Sequence, residues 1–191
     1  MSLTSMLPTL PSPLFHGSAV LFKRVDVTRG RSHKDFGRGF YMALSAAQAI
    51  GMMHKKYREA ISRRRDHLPG QFREVLYRVD LNLELLKSLR VREFEEADSE
   101  WLDFVLMCRP CEGVPHDYDV VIGPTADDDT NRALKFYYDG VYGNPGSVGA
   151  KRMLLQVLES DKLGRQVYIA SQSVADRLIV SLSPVDWRDY L

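Results

Sequence analysis

Hydrophobic positions fall into short blocks whose spacing switches between strand and helix periods. The first block, Leu14 to Phe22, is apolar around His16-Gly17 and predicts one short buried strand followed by a turn. Val25 to Lys34 is polar and basic, with Arg29, Arg31, His33 and Lys34. It predicts a surface loop, with contact to an anionic ligand as the alternative. Phe40-Tyr41 runs into a helix that Ser45 can cap, with Ala46, Ala49, Ile50, Met53, Tyr57, Ala60 and Ile61 at helical spacing. The opposite face carries Lys55, Lys56, Arg58 and Arg63-Arg64-Arg65. It reads as a solvated helix end suited to the helix dipole. A nucleic-acid face is the weaker reading, because no aromatic residues are interleaved there.

Beyond Pro69-Gly70, Val75, Tyr77, Val79 and Leu81 alternate as a strand does. Leu85 to Phe94 is ambiguous in pattern and is compatible with a short helix followed by a strand. Asp98 or Ser99 can cap a helix that turns Trp101, Leu102, Val105 and Leu106 inward. Tyr118 to Pro124 predicts a short buried strand. The carboxylates Asp127, Asp128 and Asp129 then open a helix through Leu134 and Tyr138, where capping and the dipole explain them. Ala150 to Leu158 predicts a helix with Met153, Leu154, Val157 and Leu158 inward. Gln166 to Ala170 predicts a strand, Ser173 a helix cap, and Ile179 to Leu182 a last strand. Short strands interspersed with helices give an α+β domain rather than regular βαβ winding.

The chain of 191 residues fits one domain over 14–191, preceded by an uncharged Pro/Ser-rich stretch, 1–13, that reads as a flexible arm. A net charge of +1 gives no general attraction to nucleic acid or membrane. No signal-peptide pattern and no run of about 18 apolar residues is present, so the expectation is a cytoplasmic protein without a membrane partner. The two cysteines imply no disulfide framework. They form a lone Cys108-Arg109-Pro110-Cys111 at the end of a predicted helix, whereas a redox dithiol sits at a helix start. A zinc site needs two more ligands, and only His116 is near in sequence. Plain thiols are the expected reading, and no metal site is expected.

Candidate chemistry gathers in Leu14-Phe15-His16-Gly17-Ser18 and Lys34-Asp35-Phe36-Gly37-Arg38-Gly39-Phe40-Tyr41. Glycines two residues apart let backbone approach a ligand closely. These stretches resemble the first two motifs of diphtheria-toxin-like and poly(ADP-ribose) polymerase-like ADP-ribosyltransferases. From Leu14 to about Leu178 the chain also resembles the bacterial family called domain of unknown function 3990. That likeness is carried further by Trp101-Leu102-Asp103-Phe104-Val105, by Tyr118-Asp119-Val120-Val121-Ile122-Gly123-Pro124 and by Gln166-Val167-Tyr168.

The resemblance implies a split β-sandwich with surrounding helices that binds NAD, as substrate, between two small sheets. It implies that His16 bonds ribose hydroxyls, Gly17 meets the nicotinamide amide and Tyr41 stacks on the nicotinamide ring. Ser18, Arg38 and Gly39 would complete the NAD contacts. A neutral imidazole both donates and accepts, which suits a diol, and a phenol ring offers stacking area. The departure is Gln166, where such transferases carry a glutamate: an amide can bond a hydroxyl but brings no charge. Asp119, Asp127 or Asp128 are the candidate substitutes. The resemblance thus implies an NAD-dependent mono-ADP-ribosyltransferase, a toxin or effector acting on a protein or nucleic acid. The alternatives are an NAD hydrolase and a non-catalytic NAD or ADP-ribose binding module on the same fold.

Overall fold

The structure is a computed structural model that describes residues 10–63, 70–125, 128–158 and 163–191. Seven strands form one hydrogen-bonded sheet: β1 Leu14–Ser18, β2 Phe40–Ala43, β3 Val75–Leu81, β4 Val91–Glu93, β5 Val120–Pro124, β6 Arg165–Ile169 and β7 Ile179–Val185. Their order is β4-β5-β6-β2-β1-β3-β7, and only β4 and β5 run parallel. Six α-helices lie among the described residues: α1 Ala46–Arg63, α2 Leu83–Leu86, α3 Ser99–Cys108, α4 Asp128–Tyr138, α5 Val148–Val157 and α6 Gln172–Leu178. The α+β class holds, and so does the helix-then-strand reading of Leu85 to Phe94.

Strand alternation sorts the core onto two faces. Leu14, Phe40, Met42, Tyr77, Val79, Val167 and Ile169 pack on one face, together with Val174 and Leu178 of α6. The opposite face is covered in two patches. Over β1 and β3, α1 buries Ala49, Ile50 and Met53 against Phe15 and Leu76. Over β5 and β6, α3, α4 and α5 bury Trp101, Leu102, Val105, Leu134, Tyr137 and Leu154 against Val121 and Tyr168. β2 lies between the two patches, with Tyr41 and Ala43 turned to that face.

Caps explain most helix starts. Ser45 Oγ accepts from Gln48 N at 3.3 Å, and Asp98 accepts from Trp101 N at 2.9 Å. The cap of α6 is Ser171, accepting from Val174 N at 3.3 Å, rather than Ser173. Ser147 caps α5, which therefore starts at Val148; Ala150, Leu154 and Leu158 face inward, and Met153 and Val157 face outward, 46% and 48% exposed. On α4, Tyr137 is buried and Tyr138 faces out. The expected arm is anchored at its end: Leu10 is buried in the first core, and Ser12 Oγ donates to Asp80 at 3.1 Å.

The resemblance implies two small sheets, and the strands among the described residues form one. The sheet is nearly parted at its centre, however. β1 shares five register pairs with β3 but one, Phe15↔Ala43, with β2, so the two strands diverge after Phe15. Continuing that register would set Gly17 opposite Tyr41.

Candidate functional site

Where the ladder between β1 and β2 stops, side chains take over. His16 Nδ1–H donates to the Tyr41 carbonyl at 2.6 Å, and Lys56 Nζ of α1 donates to the Gly17 carbonyl at 2.6 Å. The imidazole is half-buried, stacked on Phe40 at 4.6 Å and edge-on to Phe22 at 5.9 Å. Loss of hydration, then the nearby Lys56 charge, lower its pKa to about 3 against the opposing Tyr41 carbonyl. His16 is thus a neutral ring at pH 7. Its Nε2 has no protein partner among the described residues and is not buried, which leaves one accessible acceptor at the parting.

Acid should therefore destabilise the fold through His16. Its folded pKa lies below the unfolded value of 6.5, so the unfolded chain binds the proton first. The full contribution is present above about pH 6.5 and is lost as pH falls toward 3. Between pH 7 and 5 the loss should reach about 2 kcal/mol. Urea unfolding at both pH values checks this against His16→Asn, whose acid loss should be smaller by that amount. Equal losses would remove His16 as the cause.

Tyr41 hangs the neighbouring loop from β2. Its hydroxyl donates to Gly37 O at 2.6 Å and accepts from Phe36 N at 3.1 Å. Burial and the Asp35 charge push its pKa well above the ordinary phenol value. The half-buried ring sits 5.0 Å from Tyr168, whose hydroxyl donates to Arg38 O at 3.0 Å. Gly37 has φ +92°, so the turn itself requires glycine. Gly39 is required by packing: a Cβ there would lie 2.1 Å from the Tyr168 ring. His116 ties the loop from outside, Nε2–H donating to Phe36 O at 3.0 Å while Nδ1 accepts from Tyr118 N.

Beneath that loop lies a polar network that the sequence does not announce. Asp35 is buried, and its Oδ1 accepts from Arg109 Nε at 3.1 Å and Nη2 at 2.5 Å. Arg109 also bonds Asn131. Gln166 Nε2 donates to Asp35 Oδ2 at 2.8 Å and to Pro124 O at 3.3 Å. Gln166 pairs with Ala43 across β2 and β6, two residues along from Tyr41. Tyr41 and Gln166 therefore share one sheet face, and the His16 ring lies on the other, meeting them only through the Tyr41 carbonyl. Gln166→Glu would replace a donor by a second carboxylate beside Asp35. It is expected to cost about 2 kcal/mol or more in stability. Equal unfolding midpoints for variant and wild type would show that Asp35 does not need that donor.

Residues 13–179 match the family described as Protein of unknown function (DUF3990). The chain belongs to that family. No curated protein and no solved structure matches it.

Of the other residues the sequence points to, this DUF3990 member uses Ser18 in a local turn: its hydroxyl donates to Val20 O at 2.9 Å and accepts from Val20 N. Arg38 is exposed and donates to Ser32 Oγ at 2.9 Å. Gly17 packs under α1, and its carbonyl is taken by Lys56. Asp119 accepts from Arg90 N at 2.9 Å and precedes Val120, whereas Gln166 pairs with Gly123 at the far end of β5. It therefore cannot supply a carboxylate beside Gln166. Asp127 and the side chain of Asp128 lie outside the described residues. Cys108 is buried at the end of α3, and burial, Cys111 and Asp35 push its thiol up to about 12. Among the described residues no group of three His, Cys, Asp or Glu could hold a metal. No described helix is long and apolar enough to cross a membrane. Two surface cavities, of about 250 and 420 Å³, lie by Lys23 to Val25 with β7 and between α3 and α5. Neither is lined by His16, Tyr41 or Gln166.

Proposed function

We propose that this DUF3990 chain binds NAD at the parting of β1 and β2 and belongs among the ADP-ribosyltransferase-like proteins, with transfer of ADP-ribose to a macromolecule as its reaction. The observation that supports this most is the neutral imidazole of His16, fixed by Tyr41 O and offering an accessible Nε2 acceptor where two central strands separate. Such a ring suits a ribose hydroxyl, which it would accept from without bringing charge. A sheet nearly parted at its centre also agrees with the split architecture that the motifs imply. The half-buried Tyr41 ring lies on the opposite sheet face from His16, so it would flank a flat heteroaromatic that reaches through the parting. In transfer, the bond from the ribose anomeric carbon to nicotinamide breaks, nicotinamide leaves with the bonding pair, and a nucleophilic atom of the acceptor forms the new bond and loses its proton.

A second reading, a binding module without turnover, is favoured by one observation: the Gln166 amide is committed to Asp35 and Pro124. NAD incubated with the pure protein, alone and with cell lysate, separates the readings. Nicotinamide release with ADP-ribose on macromolecules supports transfer. Release as free ADP-ribose supports hydrolysis, and binding without release supports the module. His16→Ala is expected to weaken NAD binding about ten-fold or more. Unchanged NAD affinity in that variant would remove His16, and with it the proposed site.

A further inference from the structure

The loop between β1 and β2 carries cations over the C-terminal half of α1. Arg31 Nη1 meets Glu59 Oε2 of α1 at 3.3 Å, and Arg63 reaches the same oxygen at 3.7 Å, so one carboxylate serves two guanidinium groups. Lys34 is half-buried in this region, and no ion pair or hydrogen bond engages its ammonium among the described residues. Lys56 spends one donor on Gly17 O and has two more. Asp35, next to Lys34, accepts from Arg109 and Gln166, and its charge still favours the Lys34 ammonium.

The loop holding these charges is pinned. Ser32 Oγ donates to Glu112 O at 2.8 Å, Arg38 donates to Ser32, and the His33 ring meets Arg109 O at 2.9 Å. His33 has φ +60°, the single non-glycine residue with positive φ among those described. Such conformations persist where surrounding structure enforces them, and they gather at ligand sites. Burial, and then the charges of Lys34 and Arg31, lower the pKa of Lys56 to about 8 against the opposing Glu59 charge, and burial lowers that of Lys34 against the opposing Asp35 charge. The fold thus holds like charges together in a partly dry place, an arrangement that an anion would relieve.

We propose that Lys34 and Lys56, assisted by Arg31, form a site for a phosphate-class anion, a diphosphate or phosphomonoester, beside the parted end of β1. The site stands on these cations and does not require NAD. If NAD does bind the parting, its diphosphate is one source of the anion. A phosphate on a separate molecule is the other.

Calorimetry with inorganic pyrophosphate at low salt tests the site, using wild type, Lys34→Gln, Lys56→Gln and His16→Ala. Pyrophosphate should bind, more weakly as salt rises, and each lysine variant should lose about ten-fold in affinity. His16→Ala should keep it. Failure of pyrophosphate to bind wild type, or wild-type affinity in both lysine variants, overturns the proposal. Should Lys56→Gln not fold, pyrophosphate protection of Lys34 and Lys56 from amine acylation in wild type, read by mass spectrometry, decides the same point. NAD and nicotinamide riboside, which lacks phosphate, then locate the source. NAD binding lost in step with pyrophosphate assigns the anion to the dinucleotide. Pyrophosphate binding without NAD binding keeps this site with a separate phosphate source and removes the proposed function. NAD binding without pyrophosphate binding does the reverse.

Discussion

Gly17→Ala is expected to cost about 3 kcal/mol or more of folding stability, although it adds one methyl group. The new Cβ would lie 2.1 Å from Ala49 O, 2.7 Å from Met53 N and 2.9 Å from Met53 Cβ. None of these atoms is the end of a flexible side chain, so relief requires α1 to lift from β1. That movement would open the layer formed by Phe15, Ala49, Ile50, Met53 and Leu76, and would draw Lys56 from the Gly17 carbonyl. Total stabilities of about 5–15 kcal/mol leave little to absorb such a loss. Gly51→Ala on the same helix is the control, because no atom lies within 4 Å of its added Cβ. It should gain up to about 1 kcal/mol from helix propensity. Urea midpoints of the two variants check the contrast. A Gly17→Ala protein within 1 kcal/mol of wild type would mean the helix is not seated as closely as described.

The second large effect is expected at Arg109. Arg109→Met should cost about 3–5 kcal/mol, because it removes the guanidinium that pairs with the buried Asp35 carboxylate. The side chains of the pair are 13% and 5% exposed, so solvent cannot replace the guanidinium. Asp35→Asn combined with Arg109→Met should recover part of the loss, since a neutral amide no longer needs a counter-charge. A double-mutant cycle measured by chemical unfolding gives the coupling. Additive losses would place the energetic role of Arg109 elsewhere, with Asn131 as the next partner to examine. The same variant should loosen the turn that Tyr41 holds, because Asp35 anchors it one residue before Phe36.

Much of the framework was readable from local pattern. The Ser45 and Asp98 caps, the alternation in β3 and the apolar run of β5 report local physics, and those elements lie where the pattern places them. Helix faces are harder to read, because helical spacing does not say which of two neighbouring apolar stripes packs inward. On α5 the stripe Ala150, Leu154 and Leu158 packs inward, which turns Met153 and Val157 outward. The site was legible in its residues but not in its partners. Asp35 and Arg109 are 74 positions apart, and Arg109 drew notice only as the middle of Cys108 to Cys111. Lys56 read as part of a solvated helix face, because helical spacing cannot tell which flank meets the end of β1. Gly17 and Gly39 read as places for ligand approach, whereas packing against α1 and Tyr168 already demands them.

The position of β6 has a consequence for how the chain reaches this state. β6 spans residues 165–169, yet it lies between β5 and β2 and is the strand that joins them. Until it is made, β1, β2 and β3 can pair among themselves and β4 can pair with β5, but nothing connects the two groups as a ladder. Closure of the loop from β2 to β6 spans more than a hundred residues and must precede the contacts that reward it. Folding should therefore be slow for a chain of this size, with an early species in which both half-sheets expose the edges that β6 later covers. On a ribosome that species would persist until residue 169 has left the exit tunnel, and its bare edges would be the surfaces on which misassembly begins.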